Sequence, residues 1–542
     1  MSLFYKSANK KIKEDKLKKN SLISGLFFRV MFLCILMSLF VSSCNLIKPI
    51  PEVVVLPKDQ RPNILFILVD DLDAKLNSIS TMKNLQELMV ARGTSVDDFL
   101  ITNPLCCPSR TTILRGQYTH SHQVYHNDSP DGGFAKFNEV GNDASTLGVW
   151  LQAAGYRTAL IGKYLNGYPF RDERTYIPPG WSEWYSPAKK NAYDGYDYVL
   201  NENGTLVIYP PTEVNYFTDV SSRKAVDFIQ RADADKVPFF LYLAPFAPHL
   251  PATAANRHMD LFPSITVPIS PSFNEADVSD KPTNMSRNPL LTDELISKNN
   301  QNYRQRILSL QAVDEMLVEL VKVLEQTGQM DNTYIVFTSD NGFHLGQHRL
   351  VEGKGTFYEE DIVVPFIVRG PGVMEGRAVT DLLAGNVDIP ITIADWAGVV
   401  PPDFVEGRSI APILAGGTVP LENGRKAYLL EIYSQNSNSD VSAPSLQMAA
   451  SAILELRAVF DLPSPSLKKL SPIMHGLRTN EYKYIEYNDG FVEFYDLIND
   501  PYELENIAST VGSAVIDHFS KWLQAFSNCS GSDCLQVDMG LP

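Results

Sequence analysis

Five short, continuously apolar runs punctuate the chain, and each stops abruptly at polar or Gly/Pro-rich residues: NILFILVDD, TALIGKYLN, PFFLYLAPFAPH, TYIVFTSDNG and VPFIVRGPG. Runs without alternation suit strands covered on both faces. Helical patterns separate them. From Tyr303, the apolar residues Ile307, Leu310, Val313, Leu317, Leu320 and Leu324 recur at helical spacing until Gly328, and residues 222–232 show a similar stripe. Strands alternating with helices predict an α/β fold, a large sheet layered between helices, over residues 61–425. Within it, residues from about 252 to 300 are polar, Pro-rich and aperiodic, which predicts a long surface excursion. After about residue 425 the pattern changes. HGLRTNEYKYIEY and FVEFYDLIND read as antiparallel strands, followed by a helix near 515–526, so residues 426–542 are predicted to form a smaller antiparallel C-terminal subdomain.

The N-terminus reads as a separate device. Residues 1–43 carry a lysine-rich head and the apolar stretch VMFLCILMSLFV ending in Ser42-Ser43-Cys44, the layout of an export signal. The stretch is short for a bilayer span, which needs about 20 apolar residues. The VSSC ending resembles a bacterial lipobox, which would make Cys44 an acylated mature N-terminus and place the protein in the periplasm or at the cell surface. Plain cleavage near Ser43, with secretion, is the alternative. Residues 44–60, rich in proline, read as a tether. Without residues 1–43 the chain holds 39 basic and 61 acidic residues, a net charge of −22. That surface argues against a nucleic-acid partner, and an anionic substrate needs a local basic pocket. The pair Cys529 and Cys534 in CSGSDC reads as a small disulfide loop, natural in an exported protein.

In open α/β sheets, functional groups gather beyond the carboxyl ends of strands. The residues just after the apolar runs include Asp70, Asp71, Lys163, His249, Asp340 and Asn341. Carboxylates so assembled repel by roughly 4 kcal/mol per pair at 4 Å in a medium of dielectric about 20. A hard divalent cation relieves this, and an all-oxygen set suits Ca²⁺ or Mg²⁺ rather than zinc. The adjacent Cys106 and Cys107 lie in PLCCPSRTTILRGQ, where a helix is predicted through residues 109–114. A helix N-terminus beside Arg110 favours an anion, so the residues alone indicate a reactive cysteine at an anion site.

The run Cys106-Cys107-Pro108-Ser109-Arg110 followed by LRGQ resembles the C-x-P-S-R signature of the type I sulfatases. NILFILVDD, GKYLN, APHLP, TSDNG, GKGTFYEEDIVVPFIVRGPG, EGRSIAPIL and EFYDLINDPYELENIA are similar to further motifs of that family, in order, over most of residues 61–510. The resemblance implies an alkaline-phosphatase-like catalytic domain. It implies that Cys106, rather than Cys107, is oxidised to formylglycine by a formylglycine-generating enzyme. Asp70, Asp71, Asp340 and Asn341 would hold Ca²⁺ together with the modified Cys106, and Arg110 would steady the aldehyde hydrate. Lys163, His249 and Lys354 would contact the sulfate and the departing oxygen, with His249 or Lys354 as general acid. One hydroxyl of the hydrate attacks sulfur, and the other then expels sulfate as the aldehyde re-forms.

One position departs from many arylsulfatases: Leu165 stands where they carry His. The KYLN, CCPSR and THSHQV segments resemble the N-acetylglucosamine-6-sulfatase and heparan endosulfatase branch, making Asn166, His344 and His348 candidates for the substrate pocket. The expected substrate is a sulfated saccharide, first a 6-O-sulfated N-acetylglucosamine, attacked at chain ends. A phosphate or phosphonate monoester hydrolase on the same scaffold is the competing reading. A non-catalytic glycan-binding lipoprotein would lack at least one of Cys106, Arg110, Lys163, His249 or Lys354, and all are present.

Overall fold

The computed structural model describes residues 61–189, 191–418, 424–434 and 472–541. The export signal, the tether and Cys44 lie outside the described residues. A single large sheet is built from β1 (Asn63–Val69), β2 (Thr94–Leu100), β3 (Arg157–Gly162), β4 (Glu183–Lys189), β5 (Tyr198–Glu202), β6 (Thr205–Tyr209), β7 (Phe239–Ala244), β8 (Thr333–Ser339), β9 (Val363–Arg369), β10 (Arg377–Val379) and β11 (Ala384–Gly385). Its order is β10-β2-β9-β8-β1-β7-β3-β4-β5-β6, with β11 beside β2. The centre, β8-β1-β7-β3-β4, is parallel. β9 runs antiparallel to both β8 and β2, and β4, β5 and β6 form an antiparallel meander. The sheet is therefore mixed. The meander carried no clear sequence signal, because its strands β5 and β6 are short and the outer one, β6, is largely exposed.

The apolar runs behave as two-faced strands. Ile64, Phe66 and Leu68 of β1 enter one core, whereas Leu65, Ile67 and Val69 enter another. The first core is closed by α1 (Cys106–Arg115) and α2 (Leu147–Ala153), the second by α3 (Phe217–Ala234) and α4 (Asp293–Gln326), and α5 (Ile389–Trp396) joins the first. Each fully buried large apolar side chain contributes about 1.5–3 kcal/mol relative to exposure, so a strand feeding two cores is held from both faces.

Two expectations need correction. α4 starts at Asp293, capped by Thr292 Oγ1 accepting from Leu295 N–H at 3.3 Å, about ten residues before its stripe begins. Residues 293–298 are largely exposed and had no core to advertise. The stretch preceding it is no mere surface excursion, since Val267, Val278, Lys281 and Met285 are buried. A second sheet of β12 (Tyr428–Tyr433), β13 (Pro472–Arg478), β14 (Tyr482–Tyr487) and β15 (Val492–Asp496) is antiparallel throughout. α6 (Ser513–Phe526) lays Phe519, Trp522, Leu523 and Phe526 into the core under that sheet.

Candidate active site

β1 and β8 pair in register, with Val69 opposite Ser339, so Asp70 and Asp340 leave adjacent strands at the same level. Asp71 adopts a left-handed φ of 66°, a conformation Asp tolerates through its short polar side chain. This turns its N–H onto Asp340 Oδ1 at 3.0 Å, while Leu72 N–H reaches Ser339 Oγ at 2.7 Å. Asn341 Nδ2 donates to Asp71 Oδ1 at 2.8 Å. All three aspartates and Asn341 are buried.

α1 begins at Cys106 itself rather than further along, so the cysteine occupies the helix N-terminus. Its Sγ lies 3.5 Å from Asp70 Oδ1, 3.8 Å from Asp71 Oδ1 and 2.7 Å from Lys354 Nζ. Arg110 sits one turn later on the same face. Its Nε donates to Asp340 Oδ2 at 2.7 Å and Nη1 to the Lys163 carbonyl at 3.0 Å. Nη2 is 3.8 Å from Asp70 and lacks a hydrogen-bond partner. Lys163, leaving β3, donates to Asp70 Oδ2 at 2.6 Å, and Lys354 pairs with Asp71. His249, after β7, places Nε2 3.6 Å from Asp71 Oδ2. The structure thus gathers all nine residues assigned to catalysis and metal around one point.

The electrostatics follow from burial and proximity. Burial alone would raise the Asp70 carboxyl, but Lys163, His249 and Arg110 outweigh it and hold Asp70 well below the carboxylate range. For Asp71 the burial penalty is overcome by Lys354 and His249, again lowering it. Asp340 goes the other way, because burial exceeds the pull of Arg110. Burial pushes the Cys106 thiol up, past Lys163 and Lys354, so an unmodified thiol here is not a thiolate at neutral pH. Burial also lowers His249, against Asp71 and Asp70. Lys163 and Lys354 are raised, the carboxylates overcoming burial.

A hard cation fits these residues. Asn341 Oδ1 is buried with no hydrogen-bond partner, its Nδ2 lies on Asp71, and Asp340 accepts from the Asp71 N–H, so the amide and two of the carboxylates share one buried cluster. Ligand atoms of Asp70, Asp71, Cys106 and His249 lie within 4.8 Å of one another. An oxygen on the Cys106 side chain would complete an oxygen-rich shell of the kind calcium takes.

The outer candidates differ. His344 is oriented by Asp361, whose Oδ1 lies 2.9 Å from Nδ1. Asn166 is half-buried, with Oδ1 unpaired. His348 is fully buried, its ring stacked on Tyr358, and has no exposed face to offer a substrate. Cys107 is a core residue whose N–H donates to Asn127 Oδ1 at 2.8 Å. Cys529 and Cys534 are joined by a disulfide.

Two neighbours escaped the sequence reading. Tyr193, in the meander, packs its ring 4.5 Å from that of His249 and 5.2 Å from Lys163 Nζ. Arg306 of α4 donates to the Asp71 carbonyl and to Asp73 Oδ1. A charged residue inside an apolar helical stripe was the signal available for Arg306.

A family model described as Sulfatase matches residues 62–399. The chain is 32% identical to the N-acetylglucosamine-6-sulfatase of Homo sapiens over 486 residues, covering 88% of this chain and 86% of that one. It is 27% identical to the N-acetylglucosamine-6-O-sulfatase of Bacteroides thetaiotaomicron, covering 83% of each. With an extracellular sulfatase Sulf-1 homolog of Caenorhabditis elegans it shares 38% identity over 360 residues, spanning about half, 50%, of that protein's length. A solved structure in complex with its substrate D-glucosamine-2-N,6-O-disulfate superposes with a TM-score of 0.67 at 25% identity, covering 88% of this chain and 98% of that one. The phosphonate monoester hydrolase of Agrobacterium radiobacter shares the fold at a TM-score of 0.63 and 21% identity, covering 86% and 95%. The architecture is the alkaline-phosphatase-like fold of sulfatases, a large mixed sheet between helices with a separate small antiparallel sheet.

Proposed function

The chain belongs to the sulfatase family of sulfuric ester hydrolases, and on that premise we propose that it removes sulfate from sulfated saccharides, first of all 6-O-sulfated N-acetylglucosamine at a chain end. The observation that carries the reading is the position of Cys106 Sγ, at a helix N-terminus between Asp70, Asp71 and Lys354. The saccharide class is supported by the relatives named for N-acetylglucosamine 6-sulfate and by the fold shared with an enzyme holding a disulfated glucosamine.

When present, formylglycine made from Cys106 would supply the nucleophilic hydroxyl, and Asp70, Asp71, Asp340 and Asn341 would hold a Ca²⁺ that would withdraw charge from the sulfate oxygens. The chain's own residues do the rest. Lys163, Lys354 and Arg110 form the local basic pocket that a chain of net charge −16 needs to bind an anion. Arg110 is fixed by Asp340 and the Lys163 carbonyl, so it meets the anion without reorganising. His249 bonds through Nδ1 to the Leu250 carbonyl, leaving Nε2 to exchange a proton with the leaving alcohol; Lys354 is the other donor in reach. Asn166 and His344 are assigned to the sugar side of the pocket. Maturation requires a formylglycine-generating enzyme, and the N-terminal segment supports export with a lipid anchor at Cys44.

Mass spectrometry of the tryptic peptide spanning Cys106, combined with assays on sulfated and phosphorylated sugars, tests this. An aldehyde at Cys106, a thiol at Cys107, and loss of turnover in Cys106→Ala but not Cys107→Ala are expected. Full turnover by enzyme with an unmodified Cys106 would overturn the mechanism, and preference for phosphate or phosphonate esters would favour the competing reading.

A further inference from the structure

A second group of ligand-type side chains lies apart from Cys106. His348 belongs to the segment between β8 and Lys354, Glu360 to the helical turn Glu359–Ile362 leading into β9, and Glu503 to the segment after β15. One ring nitrogen of His348 and one carboxylate oxygen from each of Glu360 and Glu503 lie within 4.8 Å of one another, all three residues being buried. His348 is 0% exposed, and its Nε2 has no hydrogen-bond partner. Nδ1 stands 2.7 Å from Glu275 Oε2. A carboxylate on Nδ1 holds the proton there and leaves a lone pair on Nε2, the tautomer that binds metals.

The neighbouring groups hold the three in place. The His348 ring stacks on Tyr358 at 3.9 Å. Glu360 Oε1 accepts from Ser272 Oγ at 3.1 Å, and Glu503 accepts from Lys483 Nζ at 2.6 Å and from the Glu359 N–H at 2.8 Å. Glu275, Glu359, Glu360, Glu493 and Glu503 are buried in this region; Lys281 lies near Glu275, Arg478 and Lys75 pair with Glu359, and Lys483 pairs with both Glu359 and Glu503. Burying this many carboxylates is costly, and a dication beside Glu360 and Glu503 would lower that cost.

We propose that His348, Glu360 and Glu503 bind a transition-metal dication, with zinc the best match to one imidazole and two carboxylates. Glu275 is the outer partner that orients His348. The ion would fasten the segment carrying His344 and Lys354 to the residues following β15, acting as a structural staple distinct from the hard-cation site at Asp70. This proposal does not depend on the chemistry assigned to Cys106.

Full-length protein, stripped with chelator and kept in excess calcium, is titrated with zinc alone by calorimetry, with bound metal counted by elemental analysis. About one zinc per chain is expected, with affinity reduced about 10- to 100-fold in Glu275→Gln, the outer partner, and by more than that in both His348→Gln and Glu360→Gln. Asp71→Asn should retain the zinc. Cobalt in place of zinc should give visible absorption bands that vanish in Glu360→Gln, which keeps the test open if His348→Gln does not fold. Absence of zinc binding in the wild type, wild-type affinity in both variants, or loss of the zinc in Asp71→Asn would each overturn the proposal.

Discussion

Arg306 enters from α4 with no exposed surface and spans three partners. Its guanidinium reaches the carbonyl of Asp71, Oδ1 of Asp73 at 3.1 Å and the carbonyl of Pro248 at 3.4 Å, with the ring of Phe343 4.2 Å away. It therefore ties the loop after β1, which bears Asp70 and Asp71, to the loop after β7, which bears His249. We expect Arg306→Met to cost about 3–5 kcal/mol, the range for removing one partner of a buried ion pair. Turnover should fall more than tenfold, together with the amount of tightly held dication. Denaturant melts, elemental analysis and kinetics check this; stability and kcat within twofold of wild type would show that the loops hold themselves. Arg306→Lys keeps the charge but not the planar fork, so it should recover only part of the loss.

At the scale of elements, the candidate constellation is made by strand ends, one helix start and Lys354 from the segment after β8, while its support comes from contacts between distant segments. The short helix Thr119–His122 illustrates this. His120 Nδ1 lies 2.9 Å from Glu431 Oε1 of β12, and Nε2 lies 3.0 Å from the carbonyl of Cys529. Burial would lower His120, but Glu431 and the Cys529 carbonyl outweigh it and raise it to about 9. A folded-state value above the unfolded one, about 6.5, gives stability that is fully present below pH about 6.5 and is lost as pH rises through about 9. The full effect is on the order of 3 kcal/mol. Chemical denaturation at pH 6, 7.5 and 9.5 should show stability declining across that window in the wild type, with the slope much reduced in His120→Gln. An unchanged slope in the variant would assign the pH dependence to other groups.

For the molecule as a whole, the acidic surface and the basic pocket set opposite demands. On the proposed reading, attraction to substrate rests on Lys163, Lys354, Arg110 and a cation at Asp70, Asp71, Asp340 and Asn341, so a terminal sulfated sugar should be a better substrate than the interior of an intact polyanion. Turnover of the short substrate should change only modestly between about 50 and 300 mM salt, since buried contacts are weakly screened. Equal rates on chain interiors and chain ends would reverse the preference and point to an endo-acting enzyme. Chelation should lower the melting temperature as well as activity, because a cation at 100 times its Kd contributes about 2.7 kcal/mol to the folded state. Calcium should restore both, and a melting temperature indifferent to chelator and calcium would remove the cation from the folding balance.

Local signals carried much of this protein. Continuous apolar runs ending in polar residues mark strands buried on both faces, and because β1, β3, β7 and β8 lie side by side and parallel, their ends placed Asp70, Asp71, Lys163, His249, Asp340 and Asn341 together. The stripe from Tyr303 likewise reported a helix, since its burial pattern repeats every turn. Tertiary structure alone decided what joins segments far apart in the chain: Lys354 on Asp71, Arg306 on the backbone of two loops, His120 on Glu431 across 311 residues, and His348 among Glu275, Glu360 and Glu503. Such pairings leave no periodic trace, because a buried polar residue is specified by its partner and not by its neighbours in sequence. A different reason, exposure, hid the start of α4 and the outer strand β6, which carry no apolar pattern to read.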